Sequence, residues 1–208
     1  MDNPNPPLSM SSTPEPPRGR TYHHGDLRNA LLDSARRILE EESLADLSLR
    51  AVARRAGVSH AAPYRHFPNH EALLVELAKE GFAELREGIA EAAAASSSVE
   101  SDRIAKIGAA YMRFVARRPE LASLMFGPQL PNRDAFPELG IAADAIGNEI
   151  GTALHDSALG LAVWASVHGL AMLILRNVID LGQRKSGLDV LPSRAEIILR
   201  SLFSTRRD

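Results

Sequence analysis

Residues 48–67 of this 208-residue chain read SLRAVARRAGVSHAAPYRHF, and this stretch decides the fold. Ser48 is a residue type that caps helix N-termini, and Gly57 tolerates the left-handed backbone in which helices commonly end. Because Ser59 follows only two residues later and is a second N-cap candidate, another short helix is expected over residues 59–67. The stretch therefore predicts two short helices joined by a tight turn, the helix-turn-helix arrangement.

The two predicted helices have the composition of a DNA-reading hairpin. Small Ala53 would let the helices cross closely, and Val58 would fill the gap between them. The second helix has short side chains early and hydrogen-bonding side chains around them, a surface that can approach base edges and hold phosphates. Helical hairpins of similar composition also occur as packing units only, so the hairpin by itself leaves both interpretations open.

The rest of the chain predicts helices and no strands. Apolar residues recur at three- and four-residue steps from Asp26 to about Glu42 and from about His70 to Ala95. Further helices are expected before Pro119, over residues 120–126, and over about 138–153, 156–182 and 193–204, the last opened by the capping box of Ser193 and Glu196. Together these make about nine helices in an all-α fold.

The composition and the distribution of charge exclude some classes of function for this protein. The chain contains no cysteine, which excludes disulfides, thiolate metal sites and a cysteine nucleophile. Residues 18–66 carry nine arginines against six acidic residues, whereas the remainder is net acidic. This segregation indicates an anionic partner for the front of the chain, although a solvated mixture of charges explains it equally well. Residues 1–20 are proline-rich and predicted to be a disordered arm without a signal peptide, so a cytoplasmic protein is expected.

The motifs around the hairpin closely resemble the TetR family of bacterial transcriptional regulators. They are YHHGDL at 22–27, GVS at 57–59, PYRHFPN at 63–69 and EALL at 71–74, in the family's order and spacing over roughly residues 21–80. The resemblance implies a DNA-binding head over residues 21–68, a ligand-sensing and dimerisation body over residues 69–208, and a homodimer on a near-palindromic operator.

The resemblance also assigns candidate DNA contacts. Phosphate contacts would come from the start of the first hairpin helix and from His66, and groove contacts from the second helix; the predicted set is Ser48, Arg50, Ser59, His60, Ala61, Tyr64, Arg65 and His66. The sequence departs from the family at Pro63, where Leu or Ile is usual, and at His70, where Lys is frequent. Arg18 and Arg20 could reach a minor groove or form part of a solvated arm.

An apolar stretch from Ala158 to Leu175 predicts the dimer contact. Its length approaches a membrane span, but its glycines, its histidine and the polar residues that follow argue against a span. A helix that is apolar all round must otherwise be buried on every side. One side would pack inward and the other against a second copy, with the final helix completing a four-helix interface. The homodimer through the last two helices follows from this argument and from the resemblance alike.

Trp164 and His168 lie four residues apart and therefore share a helix face. With Gly169 they are similar to the Trp…His-Gly signature of a C-terminal domain found in one subset of the family. An aromatic wall, a titratable group and an adaptable methionine suit an apolar small molecule. The candidate ligand-binding residues are Tyr111, Phe114, Met125, Phe126, Trp164, His168 and Met172; the alternative is that all of them only pack the core.

Catalytic and metal-binding patterns are weak. The sequence has no glycine-rich phosphate loop, nucleophile elbow or spaced carboxylate pair, and the adjacent His23 and His24 do not have helical ligand spacing. We therefore expect no enzyme activity, metal or cofactor. Two other classes stay open: a helical ligand carrier or small enzyme whose hairpin merely packs, and an architectural DNA-binding protein without an effector.

Overall fold

The computed structural model describes residues 24–130, 135–176, 178–179 and 184–203. These residues form eight α-helices and two short 3₁₀ turns, with no strand among them, which confirms the all-α prediction. The helices are α1 (His24–Glu41), α2 (Leu49–Ala56), α3 (His70–Ala94), α4 (Glu100–Arg117), α5 (Pro119–Phe126), α6 (Pro137–Leu154), α7 (Ser157–Leu175) and α8 (Arg184–Phe203). The predicted arm at residues 1–20 lies outside the described residues.

The second helix of the predicted hairpin is replaced by tighter turns. In place of a helix over residues 59–67, a turn at residues 60–62 precedes the 3₁₀ turn Pro63–Arg65. An α-helix starting at Ser59 needs the amide of residue 63 to donate to the Ser59 carbonyl, and proline has no amide hydrogen. The amide of Ala62 donates to that carbonyl instead, at 3.0 Å, with the spacing of a 3₁₀ turn. This segment accounts for eight helices where about nine were expected.

The last helix begins earlier than predicted. α8 starts at Arg184 and passes through Pro192, so Ser193 lies inside the helix and its predicted capping box with Glu196 is wrong. One face of α8 is buried, including Leu191, Ala195 and Leu199. Leu199 occupies the place where a side chain at Gly108 of α4 would lie. We attribute the continuation of the helix across the proline to this close packing, because tertiary contacts supply most helical stability.

Two hydrophobic cores lie side by side. The first joins α1, α2, Phe67 and the start of α3, and we call residues 24–68 the head. The second joins the rest of α3 with α4 to α8, and we call the described residues from His70 onward the body. The short helix α5 contributes to both cores, because Leu124 packs in the head core and Met125 packs in the body core.

α7 is apolar around its whole circumference but buried along one stripe only. That stripe consists of Leu159, Gly160, Val163, Val167 and Ala171, whereas Leu161 is 60% exposed. α7 ends at Leu175, short of the predicted residue 182. Within the described ranges it is the one helix long and apolar enough to cross a membrane, and 28% of its apolar window is buried inside the protein. α8 has a similar exposed apolar face, in which Ile197 is 68% and Leu202 59% exposed.

Candidate DNA-binding interface and ligand site

Local hydrogen bonds define the first part of the hairpin as the sequence predicts. The Ser48 hydroxyl accepts a hydrogen bond from the amide of Ala51 at 3.1 Å, which caps α2. Gly57 has a φ of 69°, a left-handed conformation that glycine adopts without strain. The amide of Val58 then donates to the carbonyl of Ala53 at 3.0 Å. These bonds end α2 abruptly and turn the chain toward the second segment.

Buried and exposed residues alternate in the second segment of the hairpin. Pro63 and Phe67 are buried, and Phe67 is 1% exposed in the head core. The other residues from Ser59 to His66 are exposed or half-buried. Of the eight predicted DNA-contacting residues, seven are exposed, namely Ser48, Arg50, Ser59, His60, Ala61, Tyr64 and Arg65, and His66 is half-buried. The two anchors thus hold a mostly polar outer surface on a packed hairpin.

Some arginines of the head are paired with carboxylates and others are not. Arg28 pairs with Glu76 at 2.7 Å, Arg36 with Glu80 at 2.8 Å, and Arg55 with both Glu41 and Glu42; Arg28 also lies over the Phe67 ring. By contrast, the exposed Arg50 and Arg65 make no ion pair with any described residue. Arg37 of α1 is likewise exposed without an ion pair to a described residue, so the positive charge that no carboxylate neutralises lies on the hairpin and at this one position of α1.

Sequence reasoning missed Arg54 as a member of this surface. Arg54 is exposed, makes no ion pair with the described residues, and lies four residues after Arg50 on the same face of α2. Its neighbour Arg55 is engaged by two glutamates that follow one another at the end of α1. The adjacent arginines look alike in sequence, and only the position of α1 separates their roles.

An aromatic cluster forms in the body between α4, α5 and α7. The Tyr111 hydroxyl and Nδ1 of His168 are hydrogen-bonded at 2.8 Å. The Phe126 ring lies 4.5 Å from the His168 ring and 6.5 Å from the Tyr111 ring, measured between centroids. Phe82 of α3, which the sequence indicated only as part of an apolar face, meets Phe126 edge-on at 5.4 Å. The structure thus brings three of the seven predicted ligand residues into mutual contact.

The polar atoms of this cluster are shielded from water. Burial lowers the pKa of His168 and so favours its neutral form. Burial also raises the pKa of the Tyr111 phenol, against a smaller opposite effect of the Trp164 indole. The indole Nε1 of Trp164 is buried near this phenol but forms no hydrogen bond of ordinary geometry with a described residue. An unpaired buried donor is costly and is therefore a place where an acceptor atom of a ligand would be stabilised.

The other predicted ligand residues have different surroundings. Met125 is buried, with its sulfur at the place where a side chain at Gly81 would lie, and Met172 is half-buried against the body core. Phe114 lines a groove of about 440 Å³ between α3 and α4. It therefore belongs to a different surface from the cluster around Tyr111.

Two family profiles match the chain. The profile described as bacterial regulatory proteins, tetR family, matches residues 31–77. The profile described as tetracyclin repressor-like, C-terminal domain, matches residues 104–187, which include the Trp164, His168 and Gly169 signature. This chain belongs to the TetR family. The motifs quoted from the sequence and the arrangement of the hairpin agree with this assignment.

Among TetR-family relatives, the HTH-type transcriptional regulator EthR of Mycobacterium tuberculosis (strain ATCC 25618 / H37Rv) is 40% identical over 72 residues. That match covers 33% of each protein, so the chain spans about a third of the length of this curated relative. A protein of unknown function from Rhodococcus sp. RHA1 has a similar solved structure, with 30% identity and a TM-score of 0.63 over 88% of this chain and 98% of that one.

The fold of the chain also resembles that of a transcriptional regulator solved with a bound ligand. The transcriptional regulator FadR from Bacillus subtilis, solved in complex with stearoyl-CoA, has a TM-score of 0.63 over 83% of this chain and 97% of that one. The two sequences are 16% identical, so this likeness concerns the fold alone.

Proposed function

We propose that this chain is a sequence-specific DNA-binding transcriptional regulator that a small molecule releases from its operator. The observation that carries the proposal is the hairpin surface, where exposed polar side chains and Arg50, Arg54 and Arg65, which make no ion pair with described residues, stand on buried anchors. Arg50 and Arg65 would neutralise phosphates, while His60 and Tyr64 would face base edges. Ser48, Ser59, Ala61 and His66 complete the proposed contact set, and Arg54 extends it.

The proposed regulator works as a homodimer. Residues 21–68 would bind DNA, and residues 69–208 would dimerise and sense the ligand. The exposed apolar faces of α7 and α8 support this arrangement, because contiguous apolar surface of that kind is characteristic of protein interfaces. Two identical heads related by a two-fold axis would read successive major grooves about 34 Å apart.

The proposed effector is an apolar small molecule bound at the aromatic cluster. Phe126, His168 and Tyr111 would form its wall, and the unpaired indole N–H of Trp164 would donate to an acceptor atom of the ligand. Met125 and Met172 would adapt to its shape. Phe114 remains in the proposed set only for a ligand that extends toward the α3–α4 groove.

The short helix α5 supports a physical connection between ligand and head. At its end, Phe126 contacts His168, and two residues earlier Leu124 is packed in the head core. At its start, the Glu120 carboxylate accepts a hydrogen bond from the amide of Leu44 at 2.8 Å, and Arg118 pairs with Glu40 of α1. A ligand that displaces Phe126 would therefore move contacts that hold the head, and the equilibrium between head spacings would shift. We propose that the regulator represses transcription, because the bound dimer would block access to the DNA that it covers.

The deciding experiment is selection of bound fragments from random DNA by the purified full-length chain, with its mass in solution measured in parallel. A dimer that enriches a two-fold symmetric site supports the proposal. Salt-sensitive binding without an enriched site would instead support an architectural DNA-binding protein, and no binding at low salt would support a helical carrier or enzyme. The enriched site then serves as the probe for molecules that weaken binding.

A further inference from the structure

A cavity lies at the junction of the head and the body, away from the aromatic cluster. It encloses about 630 Å³, which is within the range of small-molecule sites. The end of α1 forms one wall, and α3, the end of α4 and the start of α5 form the others. Nothing in the proposed DNA contacts or in the proposed effector site makes use of it.

The floor of this junction cavity is apolar. Leu39 of α1 and Leu77 of α3 are both buried, and Leu121 and Pro119 of α5 are half-buried beside them. These four residues come from the head and from the body, so an apolar group placed on them would touch both parts. The floor is therefore suited to an alkyl or aryl portion of a ligand.

The rim of the junction cavity is charged, with an excess of carboxylates. Three arginines line it, Arg36, Arg117 and Arg118, against five glutamates, Glu40, Glu42, Glu80, Glu84 and Glu120. Arg36 is already held by Glu80 at 2.8 Å, and Arg118 is paired with Glu40 and lies 3.5 Å from Glu84. Arg36 and Arg118 are thus occupied by carboxylates, whereas the exposed Arg117 makes no ion pair with a described residue, and with five glutamates against three arginines the rim keeps a net negative charge.

Glu120 and Glu84 are the two glutamates of this rim that would gain most from an added cation. Glu120 makes no ion pair with any described residue and is held by the backbone amide of Leu44. Burial raises the pKa of Glu84 more than the neighbouring Arg117 lowers it. Both carboxylates would gain from an added positive charge, and an anion would be repelled by them.

We infer that the junction cavity binds organic cations, specifically amphiphilic ones in which an alkyl or aryl group of moderate size carries an ammonium group. The apolar portion would lie on Leu39, Leu77 and Leu121, and the ammonium group near Glu84 and Glu120. Three separate features support this inference: the volume of the cavity, its apolar floor and its net negative rim.

The test uses two amphiphiles of equal tail length on the full-length protein without DNA: hexyltrimethylammonium and hexanesulfonate, at constant ionic strength. Calorimetry should give saturable binding of the cation and none of the anion. The double variant Glu84→Gln with Glu120→Gln should weaken cation binding at least tenfold, because Gln keeps the size of each side chain and removes its charge. The matched control is the double variant Glu71→Gln with Glu91→Gln, which removes two charges from exposed positions of α3 outside this cavity. Its dissociation constant for the cation should stay within twofold of that of the parent chain.

A second readout locates the ligand without relying on a variant. Methyl resonances of Leu39, Leu77 and Leu121 should shift on titration with the cation, and those of the exposed Leu161 on α7 should not. Equal binding of both amphiphiles, no saturable binding of the cation, unchanged affinity of the Glu84 and Glu120 variant, or shifts confined to α7 would each overturn the inference. Since no DNA is present, these outcomes are independent of the proposed regulatory function.

Discussion

The hydroxyl of Tyr111 and Nδ1 of His168 lie 2.8 Å apart, which joins α4 to α7 inside the body. The two residues are 57 positions apart in the chain, and both rings also contact Phe126 at the end of α5. One polar contact in an apolar core thus joins α4 to α7, and the ring contacts of both residues with Phe126 add α5, the helix that reaches the head core. The contribution of this hydrogen bond to stability and the protonation state of His168 can both be measured.

Replacing Tyr111 with Phe should lower the free energy of unfolding by about 1 kcal/mol, because it removes one buried hydrogen bond and leaves Nδ1 of His168 without its partner. Urea denaturation at pH 7.5 measures this. The control variant Tyr64→Phe removes the same hydroxyl from an exposed side chain and should unfold at the same urea concentration as the parent chain. Equal stability of the two variants would show that the hydrogen bond contributes nothing.

The stability of the protein should depend on the protonation of His168. Burial holds the pKa of His168 below its unfolded value of about 6.5, so the unfolded chain binds this proton more readily than the folded chain. Its contribution to stability is therefore full above the unfolded pKa and is lost as the pH falls toward the folded pKa. As the pH is lowered from 8 to 5, the free energy of unfolding should fall more steeply for the parent chain than for His168→Asn. Parallel curves would contradict this expectation.

Removing an unpaired arginine of the hairpin should weaken DNA binding on every sequence. Arg50→Ala and Arg65→Ala should each reduce the slope of log affinity against log salt by about 1, because each loses one phosphate contact. Arg55→Ala is the matched control, since its charge is already engaged by Glu41 and Glu42. Titrations of a labelled operator at several salt concentrations provide the measurement, and an equal change in slope for Arg55→Ala would refute the assignment.

Changing the proposed base-reading residues should alter which sequence is bound. His60→Ala and Tyr64→Ala remove side chains from the exposed second segment, so the preferred site in a random-DNA selection should change while the salt slope stays nearly constant. His70→Ala serves as the comparison, because His70 lies just beyond this segment at the start of α3. An unchanged consensus in both hairpin variants would place base recognition elsewhere.

Charges introduced on the exposed face of α8 should dissociate the dimer. Ile197→Glu combined with Leu202→Glu should shift the protein to monomer in analytical ultracentrifugation, because two uncompensated carboxylates would have to be buried in the interface. Ile141→Glu is the control, because Ile141 is 72% exposed on α6, outside the proposed interface. A parent-like mass for the α8 variant would argue against a dimer through this helix.

Signals from neighbouring residues in the sequence were sufficient to predict most of the helices and the first half of the hairpin. Ser48 caps α2 and Gly57 ends it as predicted, because both interactions involve neighbouring residues and a backbone conformation that residue type alone favours. The same local reasoning was wrong at Ser193, where packing of α8 against Gly108 of α4 carries the helix through Pro192. The prediction of a second hairpin helix was also wrong, because Pro63 has no amide hydrogen to donate to the Ser59 carbonyl and a 3₁₀ turn forms in its place.

By itself, therefore, the sequence determined the helical class, the hairpin and the motifs of the TetR family, all of which depend on residue type and short-range spacing. The tertiary structure alone decided which of the adjacent Arg54 and Arg55 is neutralised, since this depends on where the end of α1 lies. It also decided that Tyr111 meets His168 and that Phe114 does not join them. Such pairings arise from contacts between distant segments, and no periodicity within one helix encodes which side chain of another helix it will face.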